Sequence, residues 1–346
     1  MGRAVTLVRR GEVVLADEPE APLEGRAVRV ETLLSGISAG TELTQYRGSN
    51  PRQHRRWDPE RRLFLDGESP GAYPIEDWGY EEVGRVTECG PEARGVEPGL
   101  LVWGTWGHRS SAAVPGERAA ECVLPEGLSP LSAVFARIGA IALNAVLDAD
   151  IHLGETVAVF GQGVPGLIAT QLAALNGGTV VAVEGIPRRI ELAGTLVAEH
   201  VVDFTREEPA EAIKTLTGGR GADVSIELSG SYRALGEAIR ATAYNSRVVA
   251  AGFLQGDGAA LRLGEEFHHN RIEVVCSQIS GISRRLDHRW NVSRLERTVM
   301  ALVAAGRVDV EALVSHVLPA EHAGEAFRLL DERPEEAVQV VLEFRD

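Results

Sequence analysis

Cysteine is scarce in this sequence. The three cysteines, Cys89, Cys122 and Cys276, lie far apart, and no two of them form a Cys-x-x-Cys pair. Such spacing supports neither the framework of a disulfide-rich domain nor a cysteine-based zinc site.

Positive charge is also in short supply, since 35 lysines and arginines face 50 acidic residues and the formal net charge is −15. An acidic chain argues against nucleic acid and against anionic membranes as partners. No apolar run is long enough to span a membrane, and the first fifteen residues alternate and carry charge, unlike a signal peptide. We therefore expect a cytoplasmic protein, and its 346 residues suit two domains.

What the sequence does contain is a strand–turn–helix–strand pattern between Gly154 and Arg189. The apolar run Val157–Phe160 predicts a strand buried on both faces. A Gly-x-Gly-x-x-Gly turn follows directly at residues 161–166. A helix is predicted next, and then a second buried strand, Val180–Val183, which leads into Glu184. The order of these parts is typical of a dinucleotide-binding βαβ unit; a glycine-rich turn that binds no ligand is the alternative.

Each glycine of the turn has a predicted task. Gly161 allows the sharp turn, Gly163 allows a pyrophosphate to approach the backbone, and Gly166 allows the helix to pack against the strand. Val164 and Pro165 lie in the same turn, just before the helix whose free N–H groups favour phosphate.

An acid at the end of the second strand predicts the choice of cofactor. Glu184 can accept hydrogen bonds from ribose hydroxyls and would repel a 2′-phosphate, so it favours NAD over NADP. Arg188 and Arg189 follow closely, and an arginine in this place can instead hold a 2′-phosphate. NAD is therefore the predicted cofactor and NADP the less favoured one.

Further along the chain, helices alternate with apolar strands, which predicts a doubly wound parallel sheet. Ligands of such sheets bind beyond the carboxyl ends of the strands. This places Ser229, Gly252, Phe253 and Ser277 near the cofactor, together with Glu184.

The first part of the chain has a different texture. Many short strand-like runs separated by glycines predict a partly open β-barrel. Within it, the glycine-rich segment Ser35–Leu43 leads into a short helix, and small residues there let other groups approach closely. His108 stands among glycines and aromatic residues, where it can serve as a general acid or base or as a structural histidine bonded to backbone.

An arginine-rich polar segment occupies residues 46–75. Such a cluster can steer or clamp an anionic substrate. The alternative is a solvated loop whose arginines pair with Asp58, Glu60 and Asp66.

Taken together, these motifs resemble the medium-chain dehydrogenase/reductase superfamily over essentially the whole chain. The matching pieces are SGISAGTEL, GYEEVGRV, GETVAVFGQGVPGLIATQLA, ADVSIELSG, VVAAGF and SHVLPAEHAGEAFRLL. The resemblance implies a GroES-like β-barrel catalytic domain, residues 1–137 and 283–346, and an inserted Rossmann domain with a doubly wound parallel sheet, residues 138–282. It also implies a homodimer or homotetramer.

The sequence departs from the zinc-containing members of that family at the metal site. Ala39 stands where their cysteine belongs, Tyr80 where their histidine belongs, and none of Phe135, Ala136 or Arg137 is a usual ligand at the third position. Zinc needs about three such protein ligands at a catalytic site, so we expect no zinc. The pattern looks nearest to a zinc-less branch that includes bacteriochlorophyllide dehydrogenases.

By the same resemblance, Thr41 matches a proton-passing threonine, and Glu42 and Glu81 match acids that orient metal ligands. Without a metal, the charge on an alkoxide must be stabilised by hydrogen bonds. The candidates are Thr41 and Tyr80 as donors, His108 or Glu81 as proton acceptor, and Glu42 as the orienting acid. Tyr80 can alternatively be a packing residue that fills the place of the metal.

These features predict an NAD-dependent, zinc-independent oxidoreductase acting on a secondary alcohol or ketone that is polyol-, cyclitol- or sugar-like, possibly anionic. The first alternative is an NADPH-dependent enone or quinone reductase, against which Glu184 argues. The second alternative is a dinucleotide-binding protein without catalysis.

Overall fold

The structure is a computed structural model, and it describes residues 1–66 and 73–344 of the chain. The chain forms two compact units, Met1–Arg137 with Val314–Asp346, and Ile138–Leu313. The predicted arginine-rich segment includes residues 67–72, and the predicted catalytic domain includes residues 345–346, which lie outside the described ranges. None of the helices in the described ranges has the length and apolar content that a membrane crossing requires.

The first unit begins with strands and short helices. In chain order these are β1 Gly2–Arg9, β2 Glu12–Glu18, β3 Ala27–Ile37, α1 Ala39–Tyr46, β4 Arg56–Asp58, β5 Leu63–Leu65, β6 Glu82–Cys89, β7 Leu101–Gly104, β8 Ser111–Pro115, α2 Gly116–Glu121 and α3 Pro130–Ala133, with a 3₁₀ turn at Pro51–Gln53.

The second unit alternates strands with helices. Its elements are α4 Ala136–Ala149, β9 Thr156–Phe160, α5 Val164–Leu175, β10 Thr179–Glu184, α6 Pro187–Leu196, β11 His200–Asp203, α7 Pro209–Leu216, β12 Ala222–Glu227, α8 Tyr232–Ala241, β13 Thr242–Ala250, a π-type turn Leu263–Phe267, β14 Glu273–Cys276, α9 Val292–Ala304 and a 3₁₀ turn Glu311–Leu313.

The chain then returns to the first unit with β15 Val314–Pro319, a 3₁₀ turn Ala320–His322, α10 Ala323–Glu332 and β16 Gln339–Glu343.

The main sheet of the first unit is organised around the long strand β3. It pairs antiparallel with β6, β8 and β16, and the sheet continues to β7 on one side and to β15 on the other. The return of the chain through β15 and β16 therefore completes this sheet.

An aromatic stack anchors the core of the first unit. The rings of Trp78 and Phe327 stack with centroids 4.5 Å apart, and the ring of Tyr46 also stacks on Phe327, with centroids 5.8 Å apart. All three are buried, so α1 and α10 are held to the segment that precedes β6. The residues next to Trp78 and at the start of α1 are thereby fixed in place, which matters for the site below.

The second unit contains a six-stranded sheet in the order β11-β10-β9-β12-β13-β14, with every pairing parallel. The strand order reverses between β9 and β12, which is the switch point of a doubly wound fold. The β-branched and small residues of β9 and β10 are buried, as their unbroken apolar runs predicted.

Residues 283–313 pack with the helices of this second unit. A Cβ on Gly139 of α4 would lie 2.6 Å from Val299 Cγ1 of α9, which shows how closely these two helices approach. The Gln171 side chain of α5 also exchanges two hydrogen bonds with the Asp309 main chain, at 2.7 and 2.9 Å. Our domain boundary at residue 283 remains a prediction, but by contacts the first unit resumes only at Val314.

Lys214 is the only lysine in the sequence, and it lies near the end of α7. Its half-buried ammonium group donates to the main-chain oxygens of Arg220, at 3.0 Å, and of Thr242, at 3.1 Å. Burial and the nearby Arg220 lower the pKa of this amine. Lys214 thus ties the end of α7 to the first residue of β13.

Candidate active site

The five predicted catalytic residues all lie in the first unit, on three segments that the sheet brings together. Thr41 and Glu42 occupy the first turn of α1, directly after β3. Tyr80 and Glu81 immediately precede β6, the antiparallel neighbour of β3. His108 lies between β7 and β8, and its main-chain N–H donates to the oxygen of the core residue Trp78 at 3.0 Å.

A buried chain of hydrogen bonds runs through His108. Its Nε2 lies 2.7 Å from Glu42 Oε2, and its Nδ1 lies 2.6 Å from Ser35 Oγ. Ser35 Oγ in turn donates to Glu82 Oε1 at 3.0 Å. All four side chains are buried, so this chain is closed off from solvent.

The donor hydrogens available on Ser35 and His108 indicate the protonation state of His108. When Glu82 is ionised, the one hydroxyl hydrogen of Ser35 is donated to Glu82, so His108 Nδ1 donates to Ser35 Oγ. Nε2 faces the Glu42 carboxylate, which is also an acceptor. A ring in which both nitrogens donate is an imidazolium, so this network favours the protonated form of His108.

The pKa values of the buried groups agree with that assignment. Burial alone would lower the pKa of His108, but the charge of Glu42, its hydrogen bond and the charge of Glu82 together raise it. Burial raises the pKa of Glu82 to about 7, although His108 and the Ser35 hydrogen bond oppose the rise. Near neutral pH these hydrogen-bonded side chains therefore hold more protons than the same groups would hold in water.

A second network consists of hydroxyl groups. Tyr80 OH donates to Thr41 Oγ1 at 3.2 Å and makes a short hydrogen bond with Ser38 Oγ. The main-chain N–H of Ser38 donates to Glu42 Oε1 at 2.9 Å, which joins the hydroxyls to the carboxylate that faces His108. Burial, followed by the charge of Glu81, raises the pKa of Tyr80, so its phenol is a neutral donor.

Exposure separates the five candidates into two groups. Glu42, Glu81 and His108 are buried, with 1–2% of the surface of each residue exposed to solvent. Tyr80 and Thr41 are only half-buried. Tyr80 and Thr41 therefore keep part of their surface open to solvent. The other three residues can act only through a neighbour.

Glu81 is a buried acid with unusual surroundings. Neither of its carboxyl oxygens has a hydrogen-bond partner among the described residues. A Cβ on Gly36 would lie 2.5 Å from Glu81 Oε2, so only glycine leaves room for this side chain. Burial and the charges of Glu42 and Glu82 raise the pKa of Glu81 well above its ordinary range, which favours the neutral acid, a donor rather than an acceptor of protons.

These residues do not fit a catalytic zinc ion. The groups nearest to Tyr80 are the hydroxyls of Ser38 and Thr41, which are poor zinc ligands compared with thiolate, imidazole and carboxylate. Both nitrogens of His108 are already engaged. Within residues 1–66 and 73–344, no three or more His, Cys, Asp or Glu side chains are arranged to hold a metal ion.

The glycine-rich turn of the second unit has the geometry that its sequence predicts. Gly161 adopts φ = 87°, and a Cβ on Gly166 would lie 1.9 Å from the Gly161 carbonyl oxygen. No atom lies within 4 Å of the place where Gly163 would carry a Cβ, so that face is open. Val164 and Pro165 form the first turn of α5, with Gly163 as its N-cap. The residues present therefore fit a pyrophosphate at this helix N-terminus.

Glu184 stands at the end of β10, as predicted, but its carboxylate also organises the protein. Oε2 accepts from Gln162 N at 2.8 Å, and Oε1 accepts from Gly185 N at 2.8 Å and Ile186 N at 3.2 Å. A carboxylate has about four acceptor sites, so these three bonds leave room for a ribose hydroxyl. Arg188 is exposed and Arg189 is half-buried, and burial lowers the pKa of Arg189 although Glu184 opposes this.

The remaining predicted cofactor residues follow the ends of neighbouring parallel strands. Ser229 follows β12, Gly252 and Phe253 follow β13, and Ser277 follows β14. Ser229 and Phe253 are exposed, whereas Ser277 is buried and accepts from Asn144 Nδ2 at 3.2 Å. A bound cofactor can therefore touch Ser229 and Phe253 more readily than Ser277.

Four further residues lie in or beside the network of the predicted catalytic residues and carry no strong sequence signal. Ser35 bonds to His108, Ser38 bonds to Tyr80, and Glu82 bonds to Ser35. Gln339 of β16 lies beside Glu81, where its Nε2 would be 3.0 Å from a Cβ on Gly36. The first three adjoin the predicted motifs, so their proximity was the available signal. Gln339 is distant in the sequence, and only the pairing of β16 with β3 brings it there.

The arginine-rich segment shows the contacts of a solvated loop where it is described. Arg55 pairs with Asp66 at 3.2 Å and Arg61 with Asp58 at 3.9 Å. β4 and β5 form a small hairpin in which Trp57 and Phe64 pack at 4.9 Å. That this segment steers or clamps an anionic substrate remains a prediction.

Comparison with known structures identifies the fold. Alcohol dehydrogenase TADH from Thermus sp. ATN1 superposes with a TM-score of 0.78 at 24% identity, covering 99% of this chain and 100% of that one. Galactitol-1-phosphate dehydrogenase from Escherichia coli superposes with a TM-score of 0.78 at 18% identity, covering 99% of each chain. The fold is that of the medium-chain dehydrogenases/reductases.

Sequence comparison supports the same superfamily. A family model described as zinc-binding dehydrogenase matches residues 165–292. D-guloside 3-dehydrogenase from Shigella flexneri is 28% identical over 340 residues, which are 95% of this chain and 96% of that protein. Both the family model and this relative therefore support the dehydrogenase superfamily that the motifs resemble.

Proposed function

We propose that this protein is an NAD-dependent oxidoreductase that interconverts a secondary alcohol and a ketone, with a polyol, cyclitol or sugar-like substrate, and that it does so without zinc. The similarity to D-guloside 3-dehydrogenase along nearly the whole chain supports the reaction and the substrate class. The main structural support is that Tyr80 and Thr41 present bonded hydroxyls at the positions where the resemblance expects metal chemistry.

In this proposal the cofactor, when bound, supplies the chemistry of hydride transfer. The turn at Gly161–Gly166 receives its pyrophosphate, and Glu184 accepts from its adenosine ribose. Ser229 and Phe253 line the other exposed strand ends. Gly163, Ser229 and Phe253 are open in the described structure, whereas Glu184 is buried.

The protein's own residues handle the oxygen and the proton. When substrate binds, the Tyr80 phenol turns its one hydrogen from Thr41 Oγ1 to the substrate oxygen, and the Thr41 hydroxyl donates to Tyr80 instead. Because Tyr80 also bonds Ser38, and Ser38 bonds Glu42, the phenol is held in one orientation by a network that ends on His108. Preorganised donors of this kind stabilise developing oxyanion charge.

His108 and Glu42 act through these hydroxyls because they are buried. We assign His108 and Glu42 to positioning. The neutral form of Glu81 suits a proton donor in ketone reduction better than the acceptor role that the motif suggested. The nearness to bacteriochlorophyllide dehydrogenases, the homo-oligomeric state and the cytoplasmic location stay predictions.

The decisive experiment measures turnover of purified protein with NAD⁺ and NADP⁺ against polyols, cyclitols and sugar glycosides, with metal analysis of the same sample. We expect oxidation of at least one of these alcohols with NAD⁺. Enones and quinones with NADPH form a second arm. Turnover in that arm alone would replace our proposal by the reductase alternative, and absence of dinucleotide binding would remove both.

A further inference from the structure

A fully buried carboxyl group lies at the carboxyl end of β12, outside the catalytic network. Glu227 is 0% exposed, and its Oε1 accepts from Ser229 N at 2.7 Å, from Gly230 N at 3.0 Å and, over a short distance, from Ser229 Oγ. Its Oε2 is buried and has no hydrogen-bond partner among the described residues. All the bonds of the carboxyl group thus converge on one turn.

That turn lies where three loops of the second unit meet. A Cβ on Gly161 would lie 2.7–2.9 Å from atoms of Ser229. A Cβ on Gly252 would lie 2.3 Å from Gly230 N and 2.7 Å from Glu227 Oε2. The loops that follow β9, β12 and β13 therefore touch one another around the Glu227 carboxyl.

These are the loops on which the proposed cofactor residues lie, namely the glycine-rich turn, Ser229 and the pair Gly252–Phe253. In open parallel sheets the ligand crevice lies just outside these strand ends. We propose that Glu227 is a positioning residue for the dinucleotide site, and that its ionised carboxylate holds the Ser229–Gly230 turn in the form that binds NADH. This inference rests on the proposed use of NAD.

The acceptor strength of Glu227 depends on its charge. An ionised acceptor makes hydrogen bonds roughly twice as strong as a neutral one. Burial raises the pKa of Glu227, and the hydrogen bonds from Ser229, Gly230 and Ser231 oppose that rise. The neighbours in register are Phe160 of β9 and Ala250 of β13, and the largest contributions to the pKa shift are burial and these hydrogen bonds rather than a charged side chain.

A consequence follows for the affinity of NADH. The turn is held firmly when Glu227 is ionised and loosely when it is protonated, so affinity should fall as the pH falls through its raised pKa. Glutamine at this position has the same shape but only a neutral acceptor oxygen. Glu227→Gln should therefore bind NADH like the protonated wild-type protein at every pH.

The test is titration of NADH into wild-type protein and Glu227→Gln from pH 5 to pH 8, followed by nucleotide fluorescence. We expect Glu227→Gln to bind about tenfold more weakly at pH 8, the size expected when charged hydrogen bonds become neutral. The difference should shrink toward pH 5. Equal affinity of the two proteins at pH 8, or a tenfold difference that is constant with pH, would overturn the proposal.

Two further variants separate positioning from a general loss of structure. Asp223→Asn alters a carboxylate at the amino end of the same strand, where it accepts from Thr156 N at 2.8 Å, and should leave NADH affinity unchanged. Gly252→Ala should weaken NADH binding at every pH, because its methyl group would crowd Gly230, while the pH dependence persists.

If Glu227→Gln fails to fold, the wild-type pH profile decides alone, and an affinity that is flat with pH overturns the proposal. Wild-type protein that binds neither NADH nor NADPH would refute the proposed function itself. If wild-type protein binds NADH and Glu227→Gln binds it equally well at every pH, only this inference is refuted.

Discussion

His108 Nε2 lies 2.7 Å from Glu42 Oε2, and neither side chain has appreciable contact with solvent. A buried ion pair of this kind costs desolvation that only good geometry and further hydrogen bonds can offset. Here Ser35 and the main-chain N–H of Ser38 supply those bonds. The pair fixes Ser38, and Ser38 in turn fixes the Tyr80 hydroxyl.

Removing the Tyr80 hydroxyl should impair catalysis more than binding. For Tyr80→Phe we expect kcat to fall about 10²-fold, the usual effect of losing one donor to a developing oxyanion, with little change in the Kd of NADH. Steady-state kinetics and an NADH titration measure both quantities. Tyr73→Phe is the matched control, because its hydroxyl bonds only the Gln45 main-chain oxygen at 3.0 Å. Similar kcat values for the two variants would show that Tyr80 merely fills space.

Glu82 should make the protein less stable as the pH rises from about 4.5 to about 7. Its pKa is raised from 4.5 to about 7 in the folded state, so in this window the folded protein binds a proton that the unfolded chain has lost. Stability therefore falls with increasing pH. Glu82→Gln carries no such charge, and its stability relative to wild type should rise by about 1.4 kcal/mol per pH unit in that window.

Urea unfolding of both proteins at several pH values measures this difference. His108 contributes in the same direction, because its raised pKa gives stability below its unfolded pKa that is lost as the pH rises. His108 is present in both proteins, and Glu82 is the smallest of the influences that raise its pKa, so the difference reports mainly Glu82. A difference that does not change with pH would mean that Glu82 is ionised throughout.

Two glycines of the dinucleotide turn should respond in opposite ways to the same methyl group. Gly166→Ala should lower stability by about 1–3 kcal/mol or more, because its Cβ would overlap the Gly161 carbonyl. Gly163→Ala meets no protein atom and should keep the wild-type Tm, yet weaken NADH binding where the pyrophosphate approaches. Unchanged NADH affinity in a folded Gly163→Ala protein would place the pyrophosphate elsewhere.

Glu184 should set the preference for NADH over NADPH. Glu184→Gln keeps an acceptor for the turn but removes the charge that repels a 2′-phosphate, so the ratio of the two affinities should move toward NADPH by about tenfold. Titrations with both nucleotides give that ratio. Glu155→Gln, which changes an acid that accepts from His152 N at 2.7 Å before β9, should leave the ratio as it is.

Chelation should leave the enzyme intact. After dialysis against a strong zinc chelator, we expect unchanged Tm and unchanged turnover, because hydroxyls occupy the expected ligand positions. Metal analysis before and after dialysis provides the control. Zinc present at one equivalent per chain, and lost together with activity, would contradict the proposed chemistry.

Periodicity and glycine spacing were enough to predict the parallel sheet, the glycine-rich turn and the position of Glu184. These features depend on local sequence, and the structure shows each of them. Local sequence does not reveal how many bonds a side chain makes after folding. Glu184 was predicted as a ribose acceptor, and the three main-chain N–H groups that it also binds are visible only in the folded chain.

Burial accounts for what the sequence left open at the catalytic network. His108 stands in a glycine-rich segment that is typical of an exposed loop, but the sheet places it under Trp78 and Phe327. Gln339 and Glu81 are brought together only by strand pairing across most of the chain. The packing of residues 283–313 likewise depends on contacts between helices that share no motif.

The position of Lys214 between two main-chain carbonyls has a practical consequence. It is the chain's one side-chain amine, and its ammonium hydrogens are already held by Arg220 and Thr242. Acylating reagents, and the cross-linkers built on them, will find little to react with on this surface. Distance mapping or immobilisation of this enzyme should instead rely on carboxylate- or guanidinium-directed chemistry, for which its side chains offer many targets.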